Sequence, residues 1–139
     1  MDYKTTKQDF EYFKNECLRW RDLLSLKDWD IYFYHERYEK HDGCRACVVD
    51  FPSDRVAAIY FDPSWIMKPD KYTLSKTTFH EICELRFVEI RTLFNMKHEL
   101  EKRNMEIHKI IGVLENTMFE KYYSISSTKR RVNNGNSKG

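Results

Sequence analysis

Three side chains that can bind or activate a metal ion lie within five consecutive residues: His80, Glu81 and Glu84. If this segment is helical, His80 and Glu84 lie one turn apart on the same face, where both can hold one divalent ion. Glu81 is turned by about 100° from His80 and can act as a general base toward a water molecule. This is the geometry of the H-E-x-x-H zinc signature. Glu84 replaces the second histidine, and a carboxylate oxygen is an accepted zinc ligand.

A chance origin of this pattern is uncommon. The chain has 5 His and 12 Glu among 139 residues, which gives about 0.04 expected H-E-x-x-E matches per chain. The competing interpretation is a surface helix whose charged face happens to carry one His and two Glu. A catalytic zinc site needs three protein ligands, so the rest of the chain must contribute the third.

Two downstream histidines, His98 and His108, are candidates for the third ligand. His98 falls near the turn between two predicted helices. His108 follows the apolar position Ile107 and precedes Ile111 by three residues, so it lies at the edge of a buried stripe and faces the neighbouring helix. We expect His108 to complete the site. The competing interpretation of His108 is a partly buried histidine that is hydrogen-bonded to a carbonyl group.

Other chemistries have weaker support in the sequence. Cys44 and Cys47 form a C-x-x-C pair with His41 nearby, a spacing that is compatible with a structural zinc knuckle. Such a site needs four ligands and the chain has no second C-x-x-C, so the start of a strand is the favoured interpretation. The chain has no G-x-S-x-G motif for a serine nucleophile. It also has no Glu-x-x-His pair for a carboxylate-bridged two-metal bundle.

Composition indicates a globular chain with a small basic tail. Apolar residues make up 41% and aromatic residues 15% of 139 residues, which is enough to bury the core of one domain. Four basic residues lie among the last eleven, namely Lys129, Arg130, Arg131 and Lys138. The formal net charge of +2 therefore leaves −2 for residues 1–128, which is not typical of a nucleic-acid-binding domain. We predict one domain over residues 1–123 and a polar, basic, disordered tail over 124–139.

The sequence also gives an expectation about the compartment. No apolar stretch approaches the about 20 residues that span a membrane, and the N-terminus has no signal-peptide pattern. We therefore expect a cytoplasmic protein without a membrane partner. In that compartment we expect reduced thiols at all four cysteines, Cys17, Cys44, Cys47 and Cys83.

The spacing of apolar residues predicts the elements that must position the site. A capping-box pattern at Thr6–Asp9 begins a helix whose apolar stripe, including Cys17, ends near Leu26. Alternating segments predict three strands, and a short turn between the last two indicates antiparallel pairing. The strands are predicted at 29–35, 45–51 and 56–61, and two further helices at about 72–94 and 99–122. This order predicts an α+β fold, in which helices back a sheet.

Taken in this order, the elements and the motif resemble the short zincin-like metallopeptidases of phage and prophage genomes. The resemblance covers residues 18 to 118 approximately. It rests on Trp20 to Leu26, Trp29-Asp30-Ile31, Ala46-Cys47-Val48, Arg55 to Ile59 with Trp65, Phe79 to Leu85, and His108 to Asn116.

The resemblance implies a zincin-like α+β fold with an N-terminal helix, a three-stranded mainly antiparallel sheet, an active-site helix and a further C-terminal helix. It implies one zinc ion per chain, with His80 and Glu84 as ligands and Glu81 as the base. His108 as the third ligand is a less direct implication. H-E-x-x-H zincins have a different ligand order, but two histidines and one carboxylate give the same charge as in His₂Glu enzymes.

We expect the substrate of such a zinc peptidase to be a peptide or protein that pairs with an edge strand near Val56–Phe61. The substrate-binding positions on that strand would be Ala57, Ile59 and Phe61. Zinc would polarise a water molecule, and Glu81 would accept its proton.

Two questions stay open at this level. Three side chains are chemically able to stabilise the oxyanion, namely Tyr122, Tyr123 and His98. The alternative function is a catalytically silent zincin-like phage protein that binds and inhibits a host protein, for example a defence factor. In either case the site of action is expected to be the host cytoplasm if a phage encodes the chain, and a nucleic-acid partner is not expected.

Overall fold

Over the residues that the structure describes, the chain forms three helices, a three-stranded sheet and a short two-stranded ribbon, an α+β architecture as predicted. A computed structural model describes residues 2–40, 43–88, 91 and 100–125. The strands are β1 (Tyr3–Lys4), β2 (Asp30–Tyr34), β3 (Ala46–Phe51), β4 (Val56–Phe61) and β5 (Ser64–Trp65), and the helices are α1 (Lys7–Leu23), α2 (Lys71–Arg86) and α3 (Leu100–Leu114). A π-helical turn, Glu115–Phe119, continues α3, and residues 120–125 are helical again.

The start and the apolar stripe of α1 confirm the sequence prediction. The backbone N–H of Asp9 donates to Thr6 Oγ1 at 3.1 Å, and the N–H of Thr6 donates to Asp9 Oδ2 at 2.8 Å, which completes the capping box. Phe13, Cys17 and Trp20 follow on one face and are fully buried. Cys17 is therefore a packing residue, and burial raises the pKa of its thiol well above the ordinary value.

The three-stranded sheet has the order β2-β4-β3. β3 and β4 are antiparallel, as predicted, whereas β2 and β4 are parallel. The prediction that Ala57, Ile59 and Phe61 belong to an edge strand is wrong, because β4 is the central strand and these three side chains are fully buried. The physical reason is that the most apolar strand gains most from a central position, where its backbone is paired on both sides and one face is covered.

Helix α2 lies between α1 and β3, so more than one of its faces is buried. Asp70 caps its N-terminus by accepting the N–H of Thr73 at 2.7 Å. The Phe79 ring packs against Trp20 of α1, with ring centroids 4.9 Å apart, and against Phe119 of the π-helical turn at 5.4 Å. This aromatic cluster joins the helices, and the helix that it anchors carries the H-E-x-x-E motif.

Several predictions fall partly outside the described part of the chain. Residues 88 and 91 are helical beyond α2, and the predicted end of that helix near residue 94 lies outside the described residues. Residues 124 and 125 are helical rather than part of a tail, and 126–139 lie outside. Among the described residues, no helix has the length and apolar character needed to cross a bilayer.

Candidate metal centre

Two helices bring together the three side chains predicted as metal ligands. α2 carries His80 and Glu84, and α3 carries His108. The Nε2 atoms of His80 and His108 lie 3.6 Å and 3.3 Å from Glu84 Oε1. One ligand atom from each of the three residues falls within 4.8 Å of the others. Two imidazole nitrogens and one carboxylate oxygen therefore converge on one point.

The Glu84 carboxylate is buried with one oxygen in need of a partner. The residue is 8% exposed, and its Oε1 atom has no hydrogen-bond partner. The other oxygen, Oε2, forms an ion pair with the Arg91 guanidinium. Oε1 has the two histidine Nε2 atoms as polar neighbours, and because an unpaired buried carboxylate oxygen is costly, it requires either a proton on one of them or a bound cation. A metal ion between the two histidines satisfies that requirement.

His80 is oriented by a carboxylate on its other side. Its Nδ1–H donates to Glu115 Oε1 at 2.9 Å, and the Glu115 side chain is only 15% exposed. This hydrogen bond raises the pKa of His80, against the opposing effect of burial. A carboxylate that holds Nδ1–H directs Nε2 toward a metal, an arrangement that recurs in metal-ligating histidines. His80 therefore faces the cluster with the atom that can bind.

His108 approaches the cluster from α3 with its side chain half exposed. Burial lowers the pKa of His108, and the positive charges of His80 and Arg91 lower it further. A lowered pKa favours the neutral imidazole, which is the form that binds metals. The structure therefore brings the predicted third ligand to the site.

Glu81 lies beside the cluster and is 7% exposed. Burial raises its pKa to about 7, and the opposing effects of His80 and of a backbone hydrogen bond with Val48 are smaller. Val48 belongs to β3, so α2 and the sheet together fix this carboxyl group. A carboxyl group with a pKa near neutrality can exchange a proton under physiological conditions.

Beside the cluster, a cleft of about 450 Å³ gives access to it. Its lining contains the three predicted ligands together with Glu81 and Arg91. The opposite wall is formed by Cys44, Ala46, Cys47 and Val48, and Asn104 lies on the α3 side. β3 pairs with β4 alone among the described strands, so this cleft runs along a sheet edge.

The donor set fits the predicted zinc ion. Zinc is commonly bound by histidine nitrogen and carboxylate oxygen, and catalytic sites use three such ligands. His80, Glu84 and His108 would hold it. One observation on this structure tests the fit of the ion. Glu84 Oε1 is buried and has no hydrogen-bond partner, as expected of an oxygen that binds a metal ion.

The C-x-x-C pair is not part of the three-ligand group found among the described residues. Cys44 and Cys47 are free thiols, and across 2–40, 43–88, 91 and 100–125 the group of three metal-capable side chains is His80, Glu84 and His108. Burial raises the pKa of Cys47 to about 11. The Cys47 thiol is therefore protonated at neutral pH and is a weak nucleophile. His41, the nearby histidine, lies outside the described residues.

The two oxyanion candidates that the structure describes, Tyr122 and Tyr123, do not line the cleft at the centre. The Tyr123 ring stacks on Phe119 and packs edge-on against Tyr72, which places it in the aromatic cluster. Tyr122 is exposed on the surface. His98, also the alternative third ligand, lies outside the described residues.

Sequence reasoning missed two residues at the centre, Arg91 and Glu115. Arg91 follows Glu84 by seven residues, and Glu115 follows His108 by seven. Seven residues are nearly two helical turns, so both positions share a face with a predicted ligand. This periodicity was available in the sequence as a signal.

Comparisons with known proteins add no relative to this description. No protein-family model matches the chain, and no curated protein or solved structure is significantly similar to it. The function must therefore be inferred from the site.

Proposed function

We propose that the chain is a zinc-dependent hydrolase, most specifically a small metallopeptidase with a zincin-like arrangement. His80, Glu84 and His108 hold the ion, and Glu81 is the general base. The single observation that carries the proposal is the convergence of two imidazole nitrogens on a buried carboxylate oxygen that has no other partner. A solvent cleft beside that point supports a catalytic rather than a structural role.

Each residue of the centre has a task in this proposal. When bound, zinc supplies a Lewis acid that polarises water and the substrate carbonyl group. Glu81 accepts a proton from the attacking water at its carboxylate, and its pKa of about 7 suits that exchange. Glu115 holds Nδ1–H of His80. Arg91 holds Glu84 Oε2, which leaves Oε1 free for the ion.

The edge of β3 supports a peptide as the substrate. β3 faces the cleft on the side that β4 does not occupy. An extended peptide can pair with such an edge through main-chain hydrogen bonds. This assignment replaces the predicted pairing with β4.

The test compares wild type, Glu81→Gln and Glu106→Gln after zinc loading. The substrate is a peptide mixture from a digested cell lysate, and mass spectrometry detects new peptide ends. Glu106 lies on α3 with an exposed side chain that pairs with Lys109, so Glu106→Gln is a control for the same chemical change. We expect the peptidase activity of Glu81→Gln to be at least about 100-fold lower than that of wild type, the contribution typical of general-base catalysis. The variant should retain zinc.

Two outcomes would contradict the proposal. One is wild-type activity in Glu81→Gln. The other is a zinc-loaded wild-type chain that cleaves no peptide, which would leave a metal-stabilised binding protein as the better account.

A further inference from the structure

A second cleft extends from the metal centre in the other direction along α2. Its volume is about 520 Å³, and it shares Cys44, Ala46, His80 and Glu81 with the first cleft. Beyond these shared residues its lining includes Arg45, Tyr72, Thr73, Lys76 and Thr77. We call this part of the second cleft, defined by these five residues, the basic cleft. A ligand that passes the metal centre in an extended form would enter it.

The exposed charges of the basic cleft are both positive. Arg45 is exposed, lies over the Trp65 ring with its guanidinium 5.4 Å from the ring centroid, and forms no ion pair with a carboxylate of the described residues. The Lys76 side chain is 36% exposed, and its Nζ atom lies 4.0 Å from Glu115 Oε2. Arg45 is therefore available to a ligand, and a ligand carboxylate can compete with Glu115 for Lys76.

The acidic groups of this cleft are buried and engaged. Glu81 is 7% exposed, and a hydrogen bond with the backbone of Val48 acts on it. The Glu115 side chain is 15% exposed, and its Oε1 atom accepts from His80. Glu115 partly offsets the charge of Lys76 through its contact with that side chain, so Arg45 supplies the larger share of the positive charge at the cleft surface.

Hydroxyl groups add to the recognition of an anion. Thr73 and Thr77 occupy successive turns of α2, and the Thr77 hydroxyl donates to the Thr73 carbonyl oxygen at 2.9 Å. Thr73 lines the same cleft as the two cations, and its side chain carries a hydroxyl group. A guanidinium, an ammonium and a hydroxyl group around one space suit a carboxylate ligand.

We infer that the basic cleft binds an acidic side chain of a polypeptide, so that the chain selects substrates with Asp or Glu close to the cleaved bond. This inference rests on the proposed peptidase function. A polypeptide is favoured over a nucleic acid because β3 offers a main-chain pairing edge along the first cleft and begins, at Ala46, where the two clefts meet. In addition, residues 1–128 carry a net charge of −2, which disfavours a polyphosphate chain.

The binding test uses Glu81→Gln, which cannot consume its ligand by general-base catalysis. The probes are two fluorescein-labelled peptides, one of alternating Ala and Glu and one of alternating Ala and Gln, and fluorescence anisotropy reports binding. We expect the Glu peptide to bind about tenfold more tightly at low salt, and the difference to shrink as salt screens the charges.

Charge variants in the Glu81→Gln background locate the binding. Lys76→Gln and Arg45→Gln should each weaken the binding of the Glu peptide by about three- to tenfold, as expected for a partly exposed charge-assisted contact. Lys14→Gln is the matched control, because Lys14 is 39% exposed and lies 3.9 Å from Glu11, much as Lys76 lies from Glu115. Lys14→Gln should have no effect. Lys76→Gln can act indirectly on the metal centre, because Lys76 contacts Glu115. Arg45→Gln tests the same cleft without changing that contact.

The outcomes separate this inference from the proposed function. Equal affinity for the two peptides, or equal losses in Lys76→Gln and Lys14→Gln, overturns the acidic subsite even if the wild type cleaves peptides. Tighter binding of a labelled oligo-dT than of the Glu peptide overturns the choice of a polypeptide. Selective binding of the Glu peptide without any cleavage by wild type supports the subsite and contradicts the peptidase.

Discussion

The contact between Glu115 and His80 allows a quantitative prediction about metal affinity. The Nδ1–Oε1 distance of 2.9 Å and the 15% exposure of Glu115 describe a largely desolvated hydrogen bond to a charged group. Such bonds contribute about 1.5–3 kcal/mol. Loss of a carboxylate behind a metal-ligating histidine typically weakens metal binding by about 10–100-fold. About 1.4 kcal/mol corresponds to tenfold, so the two estimates agree.

Two substitutions at Glu115 separate charge from hydrogen bonding. Glu115→Gln keeps an acceptor for His80 but removes the charge, and we expect about five- to tenfold weaker zinc binding. Glu115→Ala removes both the charge and the acceptor, and we expect about 10–100-fold weaker zinc binding. Zinc affinity is measured by competition with a fluorescent chelator of known affinity at constant pH.

Glu120→Gln is the control for this series. Glu120 lies five residues further along the same helical segment and accepts a hydrogen bond from the Tyr72 hydroxyl instead of contacting His80. We expect Glu120→Gln to bind zinc as wild type does. Wild-type affinity in Glu115→Ala, or an equal loss in Glu120→Gln, would refute the assignment of Glu115 as the residue that positions His80.

Three further predictions concern stability. Asp70→Ala should lower the free energy of unfolding by about 1 kcal/mol through loss of the α2 cap. Because the side-chain hydrogen bond with Thr73 lowers the pKa of Asp70, the stabilisation by ionised Asp70 is complete above its unfolded pKa of about 3.9 and is lost as the pH falls through the lower folded value. Asp70→Asn should keep most of the cap without this pH dependence in urea titrations at several pH values, and equal acid sensitivity of wild type and Asp70→Asn would count against the assignment. Ser75→Ala should lower the free energy of unfolding by about 1–3 kcal/mol, because the buried Ser75 hydroxyl donates to Glu16 and accepts from Trp20 Nε1. An unchanged urea midpoint would contradict this prediction. Zinc at a hundredfold excess over its dissociation constant should stabilise the fold by about 2.7 kcal/mol, measured as a rise in the thermal midpoint that a chelator reverses, and no shift at any zinc concentration would count against a folded-state site.

The parts of the site that follow from local periodicity were predictable. His80 and Glu84 are one helical turn apart whatever the remainder of the fold does, and the capping box at Thr6 depends on four consecutive residues. His108 required one more step, the antiparallel return of a second helix. That step was predictable because a histidine at the edge of an apolar stripe faces the neighbouring element.

The strand order was not predictable from the same patterns. Alternation identified β4 correctly, but alternation is similar in central and edge strands, and the insertion of β4 between β2 and β3 depends on contacts between distant residues. The burial of Glu81 and Glu84 has the same origin. A helix enclosed by α1 on one side and β3 on another hides polar positions that an isolated amphipathic helix would expose.

The position of the residues after Glu115 depends on a feature with no clear sequence signature. Glu115 begins the π-helical turn, which adds a residue to the local helical repeat and so changes the facing of the residues that follow. π-Helical turns occur often at functional sites. Here the Phe119 ring at the end of the turn lies in the aromatic cluster.

The most direct test of the central claim is the zinc content of the purified chain, determined by elemental analysis after dialysis, in wild type and in His108→Ala. We expect about one zinc per wild-type chain, the stoichiometry of a single three-ligand site, and a clear loss of zinc in His108→Ala under the same dialysis. A folded wild-type chain that takes up no zinc on addition, or a His108→Ala chain that retains a full equivalent, would contradict the assignment of His80, Glu84 and His108 as a metal centre.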